Sequence, residues 1–429
     1  MEKISRFLVN KKDSIKKVIG IIDKGGIGSA FIVDKNKKLL GVVADGDIRR
    51  AILNGIDIKE KIEKIMNIRP VVIKDIKEIK NLDLKNKMVS GCIRIPVINN
   101  SGIIKDIVPV LSDGKISKKE ERAINTVLVI GGAGYLGSIL CRNLLDEGYS
   151  VKILDNFMKG DSGLVKGYKL IRGDIRNISD IVEAIKGVDA VIHLAGIVGD
   201  PACAADVENT LEVNYLSTKS IIEICKYFQI NRFIFASTCS VYGKNDRKKL
   251  TENSPLNPVS LYAQTKIKCE ESILDSIDNN FSPVILRMAT LYGYSPNMRY
   301  DLAVNSMAQK AFKENKIEVF GGEQWRPWLH LEDAAKAYII CLKSPLEKIK
   351  GEIFNVLSEN KKLIDVGKII KSVFKKSELI VNKNIFDERN YNVSFDKIKN
   401  KLKYKPKKKL ADGVKEMKNN LQRQNGKKS

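Results

Sequence analysis

The sequence predicts an α/β protein built on a doubly wound parallel sheet, preceded by a smaller α+β module made of two repeats. Three observations predict it. From Thr126 the stretch TVLVIGGAGYLGSILCRNLLDEGYSVKILDN reads as strand, glycine-rich turn, helix with apolar residues at helical spacing, and strand. Further apolar strands follow in YKLIRGDIRN, DAVIHLAG and RFIFASTCSVYG. Before these the layout differs: GSAFIVDKNKKLLGVV is echoed by IRIPVINNSGIIKDIV, each a pair of strands around a turn of DKNKK or NNSG.

The charged segment SDGKISKKEERAIN, Ser112 to Asn125, separates the two regions. It sets the expected domains at residues 1–120 and 121–429, the second divided into a sheet over about 126–294 and a smaller C-terminal part over about 295–418. A chain of 429 residues with 43% hydrophobic content can bury two such cores.

Basic residues number 75 against 51 acidic, a net charge of +24. The excess is mostly lysine, spread along the chain and thickest in the tail KYKPKKKL…QRQNGKKS, which reads as a solvated tail. Basic residues are not interleaved with stacking aromatics, so nucleic acid is not the expected partner. Seven cysteines, with no CxxC pair and no metal-ligand spacing, predict neither a disulfide framework nor a metal site. Reduced thiols in a cytoplasmic protein are the expectation. No apolar run approaches the ~18 residues of a membrane span.

In the second region, glycines at 131, 132, 134 and 137 leave no side chain where the backbone turns tightly and approaches a pyrophosphate. The following helix aims its leading N–H groups at that anion. Asp155 closes the second strand, where its carboxylate can accept both hydroxyls of an adenosine ribose and repel a 2′-phosphate, so NAD is predicted over NADP. The ends of the parallel strands gather around the same cofactor. The expected cofactor residues are Gly131, Gly134, Tyr135, Leu136, Gly137, Asp155, Asn156, Asp174, Ile175, Leu194, Ala195, Gly196 and Asn214. His193 precedes its strand end and has no nearby acid, so it is given no chemistry.

In PVSLYAQTKIKCEESIL, Tyr262 and Lys266 are spaced i, i+4 on one helix face. Lysine is abundant enough for the spacing to recur, in YLSTK from Tyr215 and in the proline-broken YKPKK from Tyr404. The order of parts selects Tyr262. A phenol is a poor base near neutrality, but an ammonium one turn away and a cationic cofactor ring both favour phenolate. Such a group removes the proton of a sugar hydroxyl while hydride leaves the same carbon for NAD. Thr238 would share that proton, and Tyr262 and Lys266 also border the cofactor.

These motifs together resemble the extended short-chain dehydrogenase/reductases of the nucleotide-sugar epimerase and dehydratase family, from Thr126 to about Lys418, with a Rossmann-like sheet. The family's glycine motif appears as IGGAGYLG, with Ile130 in place of the usual threonine. Its catalytic hydroxyl, tyrosine and lysine fall on Thr238, Tyr262 and Lys266. The resemblance implies a nucleotide-diphosphate sugar as substrate, met by Thr238, Ser240, Asn305, Arg326 in WRPWLHLEDAAKA, and Arg389 in DERNYNVSFDKI. Two guanidinium forks suit a diphosphate. A homodimer is the expected assembly.

The first region resembles a pair of CBS modules, most specifically in LLGVVADGDIRRAI. That resemblance implies an adenine nucleotide held at Asp47, although Ala44 stands at the hydroxyl position of the pattern. In the second copy Pro109 and Ser112 replace both residues. Ligand sensing and simple dimerisation or packing both remain open for the module.

The stretch STCSVYG decides the chemistry. In the resembling 4,6-dehydratases the threonine is followed by an aspartate and a glutamate, the acid and base of a water elimination. Here those places hold Cys239 and Ser240. In 3,5-epimerases the working cysteine is two places after the hydroxyl, where this chain has Ser240. By strand alternation Cys239 faces the other way. The expected reaction is NAD-dependent epimerisation at C4 through a 4-keto sugar. A dehydratase or reductase is the alternative among enzymes. A non-catalytic dinucleotide sensor or RNA-binding relative is the alternative outside them.

Overall fold

A computed structural model describes residues 2–5, 7–25, 28–75, 92–111, 124–158, 168–245, 249–278, 280–382 and 389–426. The chain splits into two compact units, the first drawn from Met1–Ala123 and Asp278–Asn280 and the second from Ile124–Ile277 and Phe281–Ser429. Most of the proposed linker, residues 112–123, lies outside the described residues, as do Ser112 and residues 427–429.

In the first unit, β1 (Leu8–Asn10) pairs in parallel with β2 (Ser29–Val33), and β2 forms a hairpin with β3 (Leu39–Ala44). The DKNKK turn closes because the Asp34 carboxylate accepts the N–H groups of Asn36 and Lys38, each at 2.9 Å. β4 (Cys92–Ile98) and β5 (Ile104–Leu111) form a second antiparallel hairpin. There Asn99 does the same for Ser101 and Ile103, at 3.0 and 2.8 Å. The echo read in the sequence is therefore an echo of turn chemistry. Helices Ile15–Gly25 and Asp45–Leu53 cover one face through Ile15, Val18, Ile22 and Ile48.

In the second unit the strands are, in chain order, β6 (Thr126–Ile130), β7 (Ser150–Asp155), β8 (Lys169–Arg172), β9 (Ala190–His193), β10 (Arg232–Thr238), β11 (Ser282–Met288), β12 (Thr290–Tyr292), β13 (Lys316–Phe320), β14 (Trp325–His330), β15 (Glu352–Val356), β16 (Glu359–Lys362) and β17 (Glu378–Asn382). Seven of them form one sheet in the order β15-β11-β10-β9-β6-β7-β8, with every pair parallel. Helices bury both faces, so the strands read as unbroken apolar runs instead of alternating ones. Val127, Val129, Ile153 and Ile192 pack on one side with Leu140 and Leu144. Leu128, Ile130, Val191, Phe233 and Phe235 pack on the other with Ile181, Ile221 and Ile273. The chain leaves β6 toward β7 and β8, then returns to its other side at β9. That reversal opens a crevice at the carboxyl ends of β6, β9 and β10, where ligands of such sheets sit.

Outside the sheet, β12 pairs with β14, β14 with β16, and β13 with β17. The described part of the lysine-rich tail, up to residue 426, corrects the sequence reading in part: its backbone and apolar side chains pack, while Lys403, Lys405, Lys407 and Lys409 stay exposed. Asp333, buried at the start of helix Leu331–Lys343, accepts the N–H groups of Lys407 and Lys408, both at 2.8 Å. Helix Leu410–Gly426 then buries Leu410, Val414 and Met417 against Val304, Ile317 and Ile370. The lysines misled because their aliphatic stems and charged heads flank an apolar stripe of helical period. Among the described residues no helix is long and apolar enough to cross a membrane.

Candidate active site

The glycine-rich turn is built where β6 stops. Gly131 has φ +84°, and a methyl group there would lie 2.7 Å from the Ala195 nitrogen. A methyl group on Gly137 would lie 2.3 Å from the Gly131 carbonyl oxygen, so only glycine lets helix Tyr135–Asp146 start this close to the turn. That helix begins at Gly134 without a side-chain cap and without an acid in its first turn. Its leading N–H groups and positive dipole end therefore suit an anion. Asp155 sits at the end of the neighbouring strand β7, and its carboxylate accepts the N–H groups of Ala133 and Phe157, each at 2.9 Å. It holds the turn while keeping further acceptor capacity.

Around this turn the other expected cofactor residues converge. Leu136 packs half-buried at the helix start. Asp174 is gripped through both oxygens by Arg176, at 3.0 and 2.8 Å, and also bonds Asn156; chiefly the Arg176 pairing holds its carboxyl down at about 2. Ile175 is buried beside it. Leu194, Ala195 and Gly196 follow the end of β9. Asn214 lies in a single π-turn, Glu212–Leu216, and its amide exchanges hydrogen bonds with the Ile197 backbone at 2.7 and 2.9 Å.

The Thr238, Tyr262 and Lys266 side chains meet beside this crevice. Thr238 ends β10, accepts the Ser240 N–H at 3.1 Å and lies close enough to the Tyr262 phenol to favour its ionised form. Ser260 caps helix Leu261–Asp275 and fixes where its first turn begins, placing Tyr262 there and Lys266 one turn on. The Lys266 ammonium is buried, 4.5 Å from the Phe235 ring centroid and 5.9 Å from that of Tyr262. Burial pushes Lys266 down from its ordinary value. Burial also pushes the Tyr262 phenol up, while Arg299 and the Thr238 hydroxyl pull it back. The rival pairs are elsewhere engaged: Lys219 is exposed, 5.7 Å from the centroid of the Tyr215 ring, and Tyr404 is a core residue. His193 bonds Thr218 at 3.1 Å, and burial pushes it down to about 3, so it is neutral.

Arg326, buried in β14, has its guanidinium 5.1 Å from the centroid of the Tyr391 ring and donates to the Arg389 carbonyl. Arg389 in turn pairs with Asp200 at 2.9 Å. Ser240, Arg326 and Arg389 all act on the Tyr391 phenol, so the two arginines and the turn after β10 share one neighbourhood.

A family model described as the NAD dependent epimerase/dehydratase family matches residues 127–356. The chain belongs to that family. A CBS domain model matches residues 5–54, which covers the first of the two repeats. An uncharacterized UDP-glucose epimerase, YtcB, of Bacillus subtilis (strain 168) is 30% identical over 67% of this chain and 95% of its own length. A putative UDP-glucose 4-epimerase of Methanocaldococcus jannaschii is 32% identical, covering 54% of this chain and 76% of its own. Among solved structures, the UDP-glucuronic acid 4-epimerase from Bacillus cereus, in complex with UDP-glucuronic acid and NAD, aligns with a TM-score of 0.64. It is 26% identical, covering 70% of this chain and 99% of that one.

The cofactor of this epimerase/dehydratase family member is NAD, and the glycine turn, the uncapped helix start and Asp155 fit it. One expected substrate residue stands apart. Asn305 is fully buried; its amide donates to the Tyr135 hydroxyl at 2.8 Å and the Arg299 carbonyl at 2.9 Å, and accepts the Gly293 N–H at 3.3 Å. It ties the C-terminal part to the Tyr135 helix and has no capacity turned to a phosphate. Tyr135 likewise points inward, donating to the Gly293 carbonyl at 2.8 Å. Arg299 was missed. It lies in NMRYDLA, held by Asp301, and is the strongest charge acting on the Tyr262 phenol. No spacing pattern in the sequence marks it. In the CBS domain, Asp47 accepts the Ala44 N–H at 2.8 Å and pairs with Arg50 at 2.6 Å, closing the start of its helix.

Proposed function

We propose that this enzyme is a nucleotide-sugar 4-epimerase, with a uridine-diphosphate hexose as the favoured substrate class. The observation that carries this reading is the chemistry of the turn after Thr238. Cys239 is buried with its thiol directed at the Arg287 carbonyl oxygen, 3.3 Å away, and burial pushes that thiol far above its ordinary value. Ser240 is a hydroxyl close to the Tyr391 phenol. Neither place offers a carboxylate, so the acid and base of a water elimination are missing, and Tyr262 is left as the group that moves a proton. The names of the relatives, UDP-glucose and UDP-glucuronic acid epimerases, support the uridine nucleotide.

The glycine turn and Asp155 would hold NAD, which would supply the acceptor for a hydride from the sugar carbon and the donor for its return. The chain's own residues do the rest. Arg326 and Arg389 grip the diphosphate and leave the sugar free to turn about it. Thr238 orients the C4 hydroxyl, and the Tyr262 phenolate removes its proton as the C4 carbonyl forms. Lys266 and Arg299 favour the phenolate. When the opposite face of the 4-keto sugar is reduced, Tyr262 returns the proton to the new alkoxide, so the product is an isomer of the substrate.

Incubation with UDP-, GDP-, CDP- and dTDP-sugars in D2O, followed by NMR and mass measurement, tests the proposal. The expected product keeps the substrate's mass, is inverted at C4 and carries no deuterium on carbon. A product lighter by one water would overturn it in favour of a dehydratase, and deuterium at C5 without that loss would overturn it in favour of epimerisation by proton exchange at carbon.

A further inference from the structure

Directly behind the Thr238, Tyr262 and Lys266 cluster lies a second set of polar side chains that no reacting atom touches. Glu270, one turn after Lys266, is paired with Arg287 of β11, and both side chains are almost wholly buried, 4% and 3% exposed. Arg287 Nε donates to both Glu270 oxygens, at 3.0 and 3.2 Å, and Nη2 donates to Oε2 at 2.6 Å. Ser237, the residue before Thr238, donates its hydroxyl to Glu270. Arg287 Nη1 donates to the Tyr242 hydroxyl at 3.0 Å and to the Glu252 carbonyl at 3.2 Å. Tyr242 passes the chain on to Asn355 of β15 at 2.7 Å.

A buried ion pair is often no more stabilising than apolar side chains of the same volume, because both charges lose their water. Stability alone therefore does not account for this one. Its connections do. Ser237 and Arg287 face each other in the β10–β11 register, so the network grips the strand that ends in Thr238, the helix that carries Tyr262 and Lys266, and the turn that carries Ser240.

We infer that Glu270 and Arg287 are positioning residues: their pair sets the height of helix Leu261–Asp275 on the sheet, and through it the spacing of Tyr262 and Lys266 from Thr238. This rests on the reading of Tyr262 as the proton-transfer group. A displacement near 1 Å at such a group lowers turnover by about 100-fold.

The test is the ionisation of Tyr262 in the NAD-loaded enzyme, read as near-ultraviolet phenolate absorbance by difference from the matching Tyr262→Phe protein, alongside kcat and KM. The absorbance needs no substrate, so it reports even if the epimerase reading fails. Glu270→Gln removes a negative charge, which by charge alone lowers the Tyr262 pKa. Displacement from Lys266 and Thr238 raises it. We expect a rise of about 1 and, on an active sugar nucleotide, a kcat loss of at least about tenfold with KM within about twofold. The double variant Glu270→Met with Arg287→Met removes charge in a neutral pair and keeps volume, and is expected to show the same rise with near-normal thermal stability. A Tyr262 pKa unchanged or lowered in both variants, or full kcat in the double variant, would overturn the inference. Failure of both to fold would overturn it too, since the pair would then serve folding alone.

Discussion

Lys266 donates its ammonium to the carbonyl oxygen of Ala236 at 2.9 Å, a bond from the Tyr262 helix to the strand that ends in Thr238. The charge is thus fixed to the sheet and cannot swing away from the tyrosine. Burial disfavours the ammonium, and the residue stays beside Tyr262 because the strand carbonyl and the Phe235 ring replace part of its lost water.

Replacing Lys266 by Met removes the cation that favours phenolate. The Tyr262 pKa then rises, so at neutral pH less phenolate is present and kcat falls by about 100-fold. The sign of the pH effect follows: activity should recover as pH rises toward the new value. A kcat–pH profile that keeps its wild-type shape would remove Lys266 from this role.

Tyr262→Phe should lower turnover by at least about 1,000-fold while the protein still retains NAD through gel filtration. The proton acceptor is lost, whereas the glycine turn and Asp155 are untouched. Retained activity would move the base to another group.

Arg299 offers a finer test, because it acts on the same phenol without a helix in common. Its charge lowers the Tyr262 pKa, so Arg299→Ala should move the ascending limb of the kcat profile to higher pH, in the same direction as Lys266→Met. An unmoved limb with a raised KM would assign Arg299 to substrate binding alone.

The fold was legible wherever local chemistry decides it. The glycine turn, the strand-end Asp155 and the i, i+4 pair Tyr262 and Lys266 each act through backbone geometry within a few residues, and a sequence records that directly. Asp34 and Asn99 made the two hairpins of the first unit readable in the same way. Asn305 and Arg299 were not legible, because their roles depend on residues far away in the chain, Asn305 through its bond to the Tyr135 hydroxyl and Arg299 through its charge acting on Tyr262. Asp333 shows the same limit. Its carboxylate decides that the lysine-rich segment docks, yet its partners are backbone groups of Lys407 and Lys408, which leave no trace in side-chain pattern.

That docking is itself testable. Asp333→Ala deletes an acceptor of two charge-assisted bonds at a buried site and should destabilise the second unit by about 2–4 kcal/mol. Early proteolytic cleavage near residues 405–410, together with a lower denaturation midpoint, is the expected result. Unchanged resistance would mean that the apolar face of helix Leu410–Gly426 suffices.

Asp47 presents two roles that one experiment can separate. It closes the start of helix Asp45–Leu53 by accepting the Ala44 N–H, so Asp47→Ala should lower the first unit's melting temperature with no ligand present, by the equivalent of about 1 kcal/mol. Baseline stability therefore says nothing about nucleotide binding. The informative quantity is the further shift on adding AMP or ATP to NAD-loaded protein, in which the dinucleotide site is already filled. If Asp47 anchors a ribose, the wild type shows a rise and Asp47→Ala does not. Equal rises in both would place the nucleotide away from Asp47, and no rise in either would leave the CBS domain as a packing module.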